Sequence, residues 1–216
     1  MQTELDSFVA NPQYDAALRL LVTRGNLRRY RKGTILIDEG DVGDTLFIVL
    51  GGRVKVYCMD IDAREIIFGI FGPGEYVGEM ALDGGPRSAS VITLVPTICA
   101  VITRQALLAF IGEYPDFSLA LLSRVIQRLR LATRDARNLA FIDVYGRLTG
   151  LLNELAVEPA DGRRRIPERI TPQEIASRVG CSREMVSRIL KDLSNGGYLA
   201  LQDRHIVLIG KLPERW

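Results

Sequence analysis

The chain has 216 residues, 47% hydrophobic and 25% charged, with 28 Lys and Arg against 26 Asp and Glu. These proportions fit one large or two small globular domains and exclude collagen-like, low-complexity and wholly disordered chains. No apolar run approaches the ~18 residues of a membrane helix, and the N-terminal MQTELDSFVANPQYD lacks the basic start and apolar centre of a signal peptide, so the expected location is the cytoplasm, with no membrane partner.

Cys58, Cys99 and Cys181 lie far apart, with no CxxC pair, so neither a disulfide framework nor a zinc pattern is present. His205 is the single histidine. Serine or cysteine nucleophiles usually need a histidine base, and no acid/base carboxylate pair stands near the glycine loops, so the chain does not read as an enzyme. Charge is uneven. Up to Asp143 there are 16 basic and 17 acidic residues; beyond it there are 12 and 9, a local excess of +3. The basic end is the one suited to nucleic acid.

From Gly33 to Thr103 short β-rich runs alternate with glycine-bearing turns. Thr34-Ile37, Thr45-Leu50, Arg53-Met59, Arg64-Ile70, Ala89-Val95 and Thr97-Thr103 are predicted strands, separated by DEGDVGD, GG, DIDA, GPGEYVGE, DGGPR and Pro96. Regular short strands of this kind predict an antiparallel barrel or jelly roll.

Pro115 opens a long helix predicted to run to about Phe141. Leu122, Val125, Leu129, Ala132, Ala136 and Leu139 repeat at heptad spacing, flanked by Arg124, Arg128, Arg130, Arg134 and Arg137. Such a seam serves either a helix lying on its own barrel or a coiled coil between two copies, and its alanines would let two backbones approach closely. A second helix is predicted over 144–156. EPADGRRRIPER reads as a loop.

The strongest local signal is TPQEIASRVGCSREMVSRILKDL, residues 171–193. Thr171 and Glu174 form a capping box with Pro172 at the first helical position. Gly180 breaks that helix and Ser182 caps the next, which predicts a helix-turn-helix. At about 100° per residue, Arg183, Glu184, Ser187, Arg188 and Lys191 share an arc of about 140°. Val186, Ile189, Leu190 and Leu193 fill the opposite arc, with Met185 between. A solvated face would look equally amphipathic, but Arg can bond guanine O6 and N7, and Glu can accept from cytosine N4. GGYLALQDRHIVLIG follows as a hairpin wing; His205 within it reads as a solvated or backbone-bonded strand residue.

Together these segments resemble the Crp/Fnr regulators, in the branch of the cyclic AMP receptor proteins. ITPQEIASRVG followed by CSREMVSRILKDL resembles their helix-turn-helix, and NLAFIDVYGRL resembles their join between dimer helix and DNA-binding domain. KGTILIDEGDVGDTLFIVLGGRVKVY and GEMALDGGPRSASV resemble the cyclic-nucleotide-binding β-roll. The resemblance covers about residues 25 to 210. It implies an α+β fold: a β-roll sensor domain over 1–114, a dimerisation helix over 115–141 and a winged helix-turn-helix over 142–216.

The resemblance also implies roles. Arg183, Glu184 and Arg188 match the positions that read a TGTGA-like half-site of a palindrome. Gly78, Glu79, Arg87 and Ser88 match the phosphate cassette, with Arg87 on the cyclic phosphate and Glu79 on the ribose 2′-hydroxyl. A structural Arg–Glu pair holding up a barrel would carry the same residues. Thr133 matches one of two adjacent hydroxyls that meet the adenine; the other falls on Ala132, which has none. Cyclic AMP is the first expectation for the ligand, with cyclic GMP, cyclic di-GMP and ligand-free activity as alternatives. A homodimer, double-stranded DNA and RNA polymerase are the implied partners, the last through the loop from Glu158 to Arg169. Asn138 and Asp143 mark the implied hinge. The family's iron–sulfur sensors need an N-terminal cysteine cluster and its haem sensors a histidine in the sensor domain; this sequence has neither, and no metal is expected.

Overall fold

The computed structural model describes residues 2–62, 64–157 and 164–213. The chain divides into two compact units between Gln127 and Arg128.

The first unit opens with two short helices, α1 (Gln2–Ala10) and α2 (Ala16–Leu21). Asp15 caps α2, its carboxylate accepting the Leu18 N–H at 3.0 Å. Eight strands follow: β1 (Asn26–Tyr30), β2 (Ile35–Ile37), β3 (Thr45–Gly51), β4 (Val54–Met59), β5 (Glu65–Phe71), β6 (Tyr76–Val77), β7 (Ser90–Thr93) and β8 (Thr97–Thr103). They form two antiparallel four-stranded sheets, ordered β1-β8-β3-β6 and β2-β7-β4-β5. The central strand β3 is apolar at nearly every position because both of its faces are covered. Leu46, Ile48 and Leu50 join a core with Phe8, Leu18, Leu21, Leu107 and Phe110 from the helices. Phe47 and Val49 point the other way, into a core between the sheets with Val54, Val77, Val91 and Cys99.

Each expected strand is present, most with ends shifted by one or two residues. The structure adds elements that the sequence reading lacks: α1, α2, β1, β6 and a third helix, α3 (Arg104–Glu113), capped by Thr103. The long helix α4 (Asp116–Phe141) begins on the barrel core through Phe117, which is buried, and Leu121, which is partly buried. It then runs across the division between the two units.

The second unit contains α5 (Val144–Leu155), β9 (Arg164–Arg165), α6 (Pro172–Val179), α7 (Arg183–Asn195), β10 (Leu199–Gln202) and β11 (His205–Leu208). Leu148, Leu152, Ile175, Val186, Ile189 and Leu193 form its core. The wing hairpin is present. It carries a third strand, in the order β10-β11-β9, so part of the segment read as a loop is paired strand. Residues 158–163 of that segment lie outside the described residues.

Candidate ligand cassette and candidate DNA-reading helix

Arg87 is 7% exposed, an uncommon burial for a guanidinium. Its backbone is tied to the acidic loop before β3: the Arg87 N–H donates to Asp41 O and the Gly40 N–H donates to Arg87 O, both at 2.9 Å. Its side chain turns inward. Nη1 donates to Gly78 O at 2.9 Å, and Nη2 donates to Thr45 O and Thr45 Oγ1, both at 3.0 Å. Glycines make the slot. A Cβ on Gly78 would sit 2.8 Å from Nη1 and from Thr45 O, and one on Gly43 would sit 2.9 Å from Nη2. Gly78 also has φ +92°, which disfavours any side chain.

Burial pushes the Arg87 guanidinium below its ordinary pKa, while the carboxylates of Asp44, Asp41 and Glu79 act in the opposite direction. Arginine nevertheless stays protonated in proteins. The three bonds use at most three of its five N–H groups, leaving at least two to offer another acceptor. Glu79 starts a 3₁₀ turn over Glu79–Asp83, and the exposed Ser88 hydroxyl lies 3.2 Å from Met80 Sδ. Arg87 is thus bonded to Gly78, the Glu79 carboxylate acts on it, and Ser88 reaches back to Met80, so the four residues lie in one region. The residues the sequence reading passed over are Asp41, Gly43, Asp44 and Thr45. Asp41, Gly43 and Asp44 sit in what reads as a plain turn, whose density of carboxylates and glycines is the available signal, and Thr45 opens the strand predicted after it.

Thr133 is exposed on α4, and its hydroxyl donates to Leu129 O at 2.9 Å, a bond within its own helix. The seam is open: Leu122 is 53% and Leu129 64% exposed, and Val125, Ala132, Ala136 and Leu139 are exposed as well. At the join, Asn138 O accepts the Ile142 N–H at 2.9 Å, and Asp143 caps α5, accepting the Gly146 N–H at 2.7 Å.

The helix-turn-helix forms as its caps dictate. Glu174 accepts the Thr171 N–H at 2.8 Å while Thr171 Oγ1 accepts the Glu174 N–H at 3.2 Å. Gly180 has φ +71°, the left-handed conformation that ends a helix, and Ser182 accepts the Met185 N–H at 3.2 Å to start α7. On α7, Val186, Ile189 and Leu193 are buried, and Arg183, Glu184, Ser187, Arg188 and Lys191 are all exposed. Met185, between the arcs, is 39% exposed. His205 Nδ1 lies 3.1 Å from Asp203 O, a backbone contact within the wing turn. Among the described residues no cluster of three His, Cys, Asp or Glu side chains could hold a metal, and no helix is long and apolar enough to cross a membrane.

A cyclic nucleotide-binding domain matches residues 27–114, and a Crp-like helix-turn-helix domain matches residues 146–212. The chain is 32% identical over 209 residues to the cAMP-activated global transcriptional regulator CRP of Salmonella typhimurium, covering 94% of this chain and 98% of that one. It is 33% identical over 183 residues to the CRP-like cAMP-activated global transcriptional regulator of Mycobacterium tuberculosis, covering 83% and 82%. Among solved structures, the c-di-GMP responsive global regulator CLP of Xanthomonas campestris superposes with a TM-score of 0.80 at 32% identity, over 91% of this chain and all of the other.

Proposed function

The chain belongs to the Crp/Fnr family of transcription regulators, and on that premise we propose that it is a homodimeric DNA-binding regulator gated by a cyclic nucleotide, cyclic AMP first, acting in the cytoplasm on a TGTGA-like palindrome and with RNA polymerase. The observation that carries the gating is Arg87: a guanidinium in a glycine-walled slot, next to Glu79, with N–H groups beyond those its protein partners use. The ligand's phosphate accepts from Arg87 and its 2′-hydroxyl donates to Glu79. The open seam of α4 takes a second copy, which brings two α7 helices to two half-sites. Arg183 and Arg188 donate to guanine, Glu184 accepts from cytosine, and Ser187 and Lys191 bond phosphate or base edges. Binding shifts the protein toward its DNA-competent state by as much as the nucleotide prefers that state.

A specific observation favours a second reading, in which regulation is nucleotide-independent or answers to cyclic di-GMP. Ala132 has no hydroxyl, Thr133 has its one O–H donor on Leu129 O and only acceptor capacity left, and the Xanthomonas relative is c-di-GMP responsive. Calorimetric titration of nucleotide-stripped protein with cyclic AMP, cyclic GMP and cyclic di-GMP, alone and with a TGTGA-palindrome duplex, separates the readings. Cyclic AMP binding that tightens the duplex supports the first. Duplex binding at full affinity with no nucleotide bound, or tuned by cyclic di-GMP alone, overturns it in favour of the second.

A further inference from the structure

Arg147 lies in the first turn of α5, four residues after the capping Asp143, and its guanidinium reaches three backbone carbonyls from two separate segments. Nη1 donates to Ile142 O at 2.6 Å, in the link that follows α4. Nε donates to Val179 O at 2.9 Å, at the last residue of α6, and Nη2 reaches Gly180 O at 3.5 Å, in the turn between α6 and α7. The last carbonyls of a helix have no partner inside it. Here the Ala176 carbonyl accepts the Gly180 and Cys181 N–H groups, and Val179 O is left to the arginine. A cation at that end also meets the negative pole of α6. The Leu139 side chain, in the last turn of α4, lies close to the same turn: a Cβ placed on Gly180 would sit 3.3 Å from Leu139 Cδ2.

We propose that Arg147 is a positioning residue that clamps the helix-turn-helix to the end of α4, so that the turn before the recognition helix moves as one body with the last turn of the long helix. The chemistry explains why arginine stands there. Three acceptors spread around one side chain suit a planar fork of five donors, whereas lysine presents a compact charge. Where α4 shifts, the clamp carries the shift to the Gly180 turn and so to the first residues of α7, the ones aimed at DNA. This consequence for gating rests on the functional reading above; the clamp itself does not.

The test uses the full chain without nucleotide and the variants Arg147→Lys and Arg147→Gln. Amide hydrogen exchange of peptides spanning 139–146 and 176–185 is expected to speed up about tenfold, the loss of roughly one good hydrogen bond's worth of protection. Peptides of the wing, 199–208, are expected to keep their wild-type rates. Uniform acceleration across the whole DNA-binding unit would show a general packing role and overturn the clamp, as would unchanged exchange in 139–146 and 176–185. A second arm measures operator affinity with and without cyclic AMP. If wild type tightens with cyclic AMP, Arg147→Lys is expected to bind the nucleotide equally well and lose most of the tightening; retention of the full tightening would overturn the transmission role. If wild type does not respond to cyclic AMP, the gating reading fails, and the exchange arm alone decides the clamp.

Discussion

The two candidate sites are built in opposite ways. The candidate DNA-reading face lies on one helix: five polar side chains on one arc, three buried aliphatic ones on the other, with caps that belong to the same twenty-odd residues. The candidate cassette is assembled from three separate segments, the loop before β3 and, some forty residues on, Gly78 with Glu79 and Arg87 with Ser88, and its bonds run largely to backbone oxygens. In the first candidate site the polar side chains point outward, away from the core. In the second, the proposed ligand contact, Arg87, is also part of the packing. Mutations should therefore separate function from stability on α7 and fail to separate them in the cassette.

The largest effect is expected from Gly78→Ala. The added methyl meets Thr45 O and Arg87 Nη1 at 2.8 Å at a backbone φ of +92°. Strain and overpacking together should cost about 3 kcal/mol of stability, read as a lower urea midpoint, with loss of nucleotide binding. Next comes Arg87→Ala, which strips the part-buried carbonyls of Gly78 and Thr45 of the donors they accept from Arg87. It should cost about 2 kcal/mol of stability as well as any nucleotide response. Arg87→Ala with wild-type stability would break the contrast, because the arginine would then be a ligand contact alone.

Arg183→Ala tests the other side of the comparison. Its side chain is exposed and accounts for no core contact. Operator affinity should fall by about 2 kcal/mol and specificity relax at one base pair. The unfolding midpoint should not move. A shift in the midpoint as large as that for Arg87→Ala would erase the distinction between the two sites.

The same contrast governs what the sequence discloses. Caps, a glycine at the turn and a period of 3.6 are local, so the helix-turn-helix could be read almost to the residue. Strands with alternating or wholly apolar patterns could be read as well. β1 could not, because NLRRY lies at a sheet edge and only Leu27 and Tyr30 are partly covered. β6 is two residues long, too short for any period. α3 follows β8 with no separator, Thr103 serving both as the last strand residue and as the cap. α1 buries only Phe8, which gives too thin a stripe to mark a helix. In the cassette the resemblance points to Arg87, but two of its three acceptors are main-chain oxygens, and every residue type carries a main-chain oxygen. The Arg147 clamp escaped notice for the same reason.

The smallest effect is expected from Thr171→Ala, and it tests whether the two units answer separately. The substitution removes the hydroxyl that accepts the Glu174 N–H at 3.2 Å and bonds Glu174 Oε2 at 3.0 Å, leaving the reciprocal bond from the Thr171 N–H to the carboxylate. Half of the capping box is thus retained, and the loss should be about 1 kcal/mol. The helix concerned packs Ile175, Ala176 and Val179 into the core of the second unit and contributes nothing to the cores of the first. Hydrogen exchange should therefore accelerate in residues 171–193 and leave strands β3 and β8 at wild-type rates, with nucleotide affinity unchanged. Equal acceleration in β3 would mean that the chain unfolds as one cooperative body, and stability changes at Gly78 or Arg87 would then be felt at the DNA-reading helix.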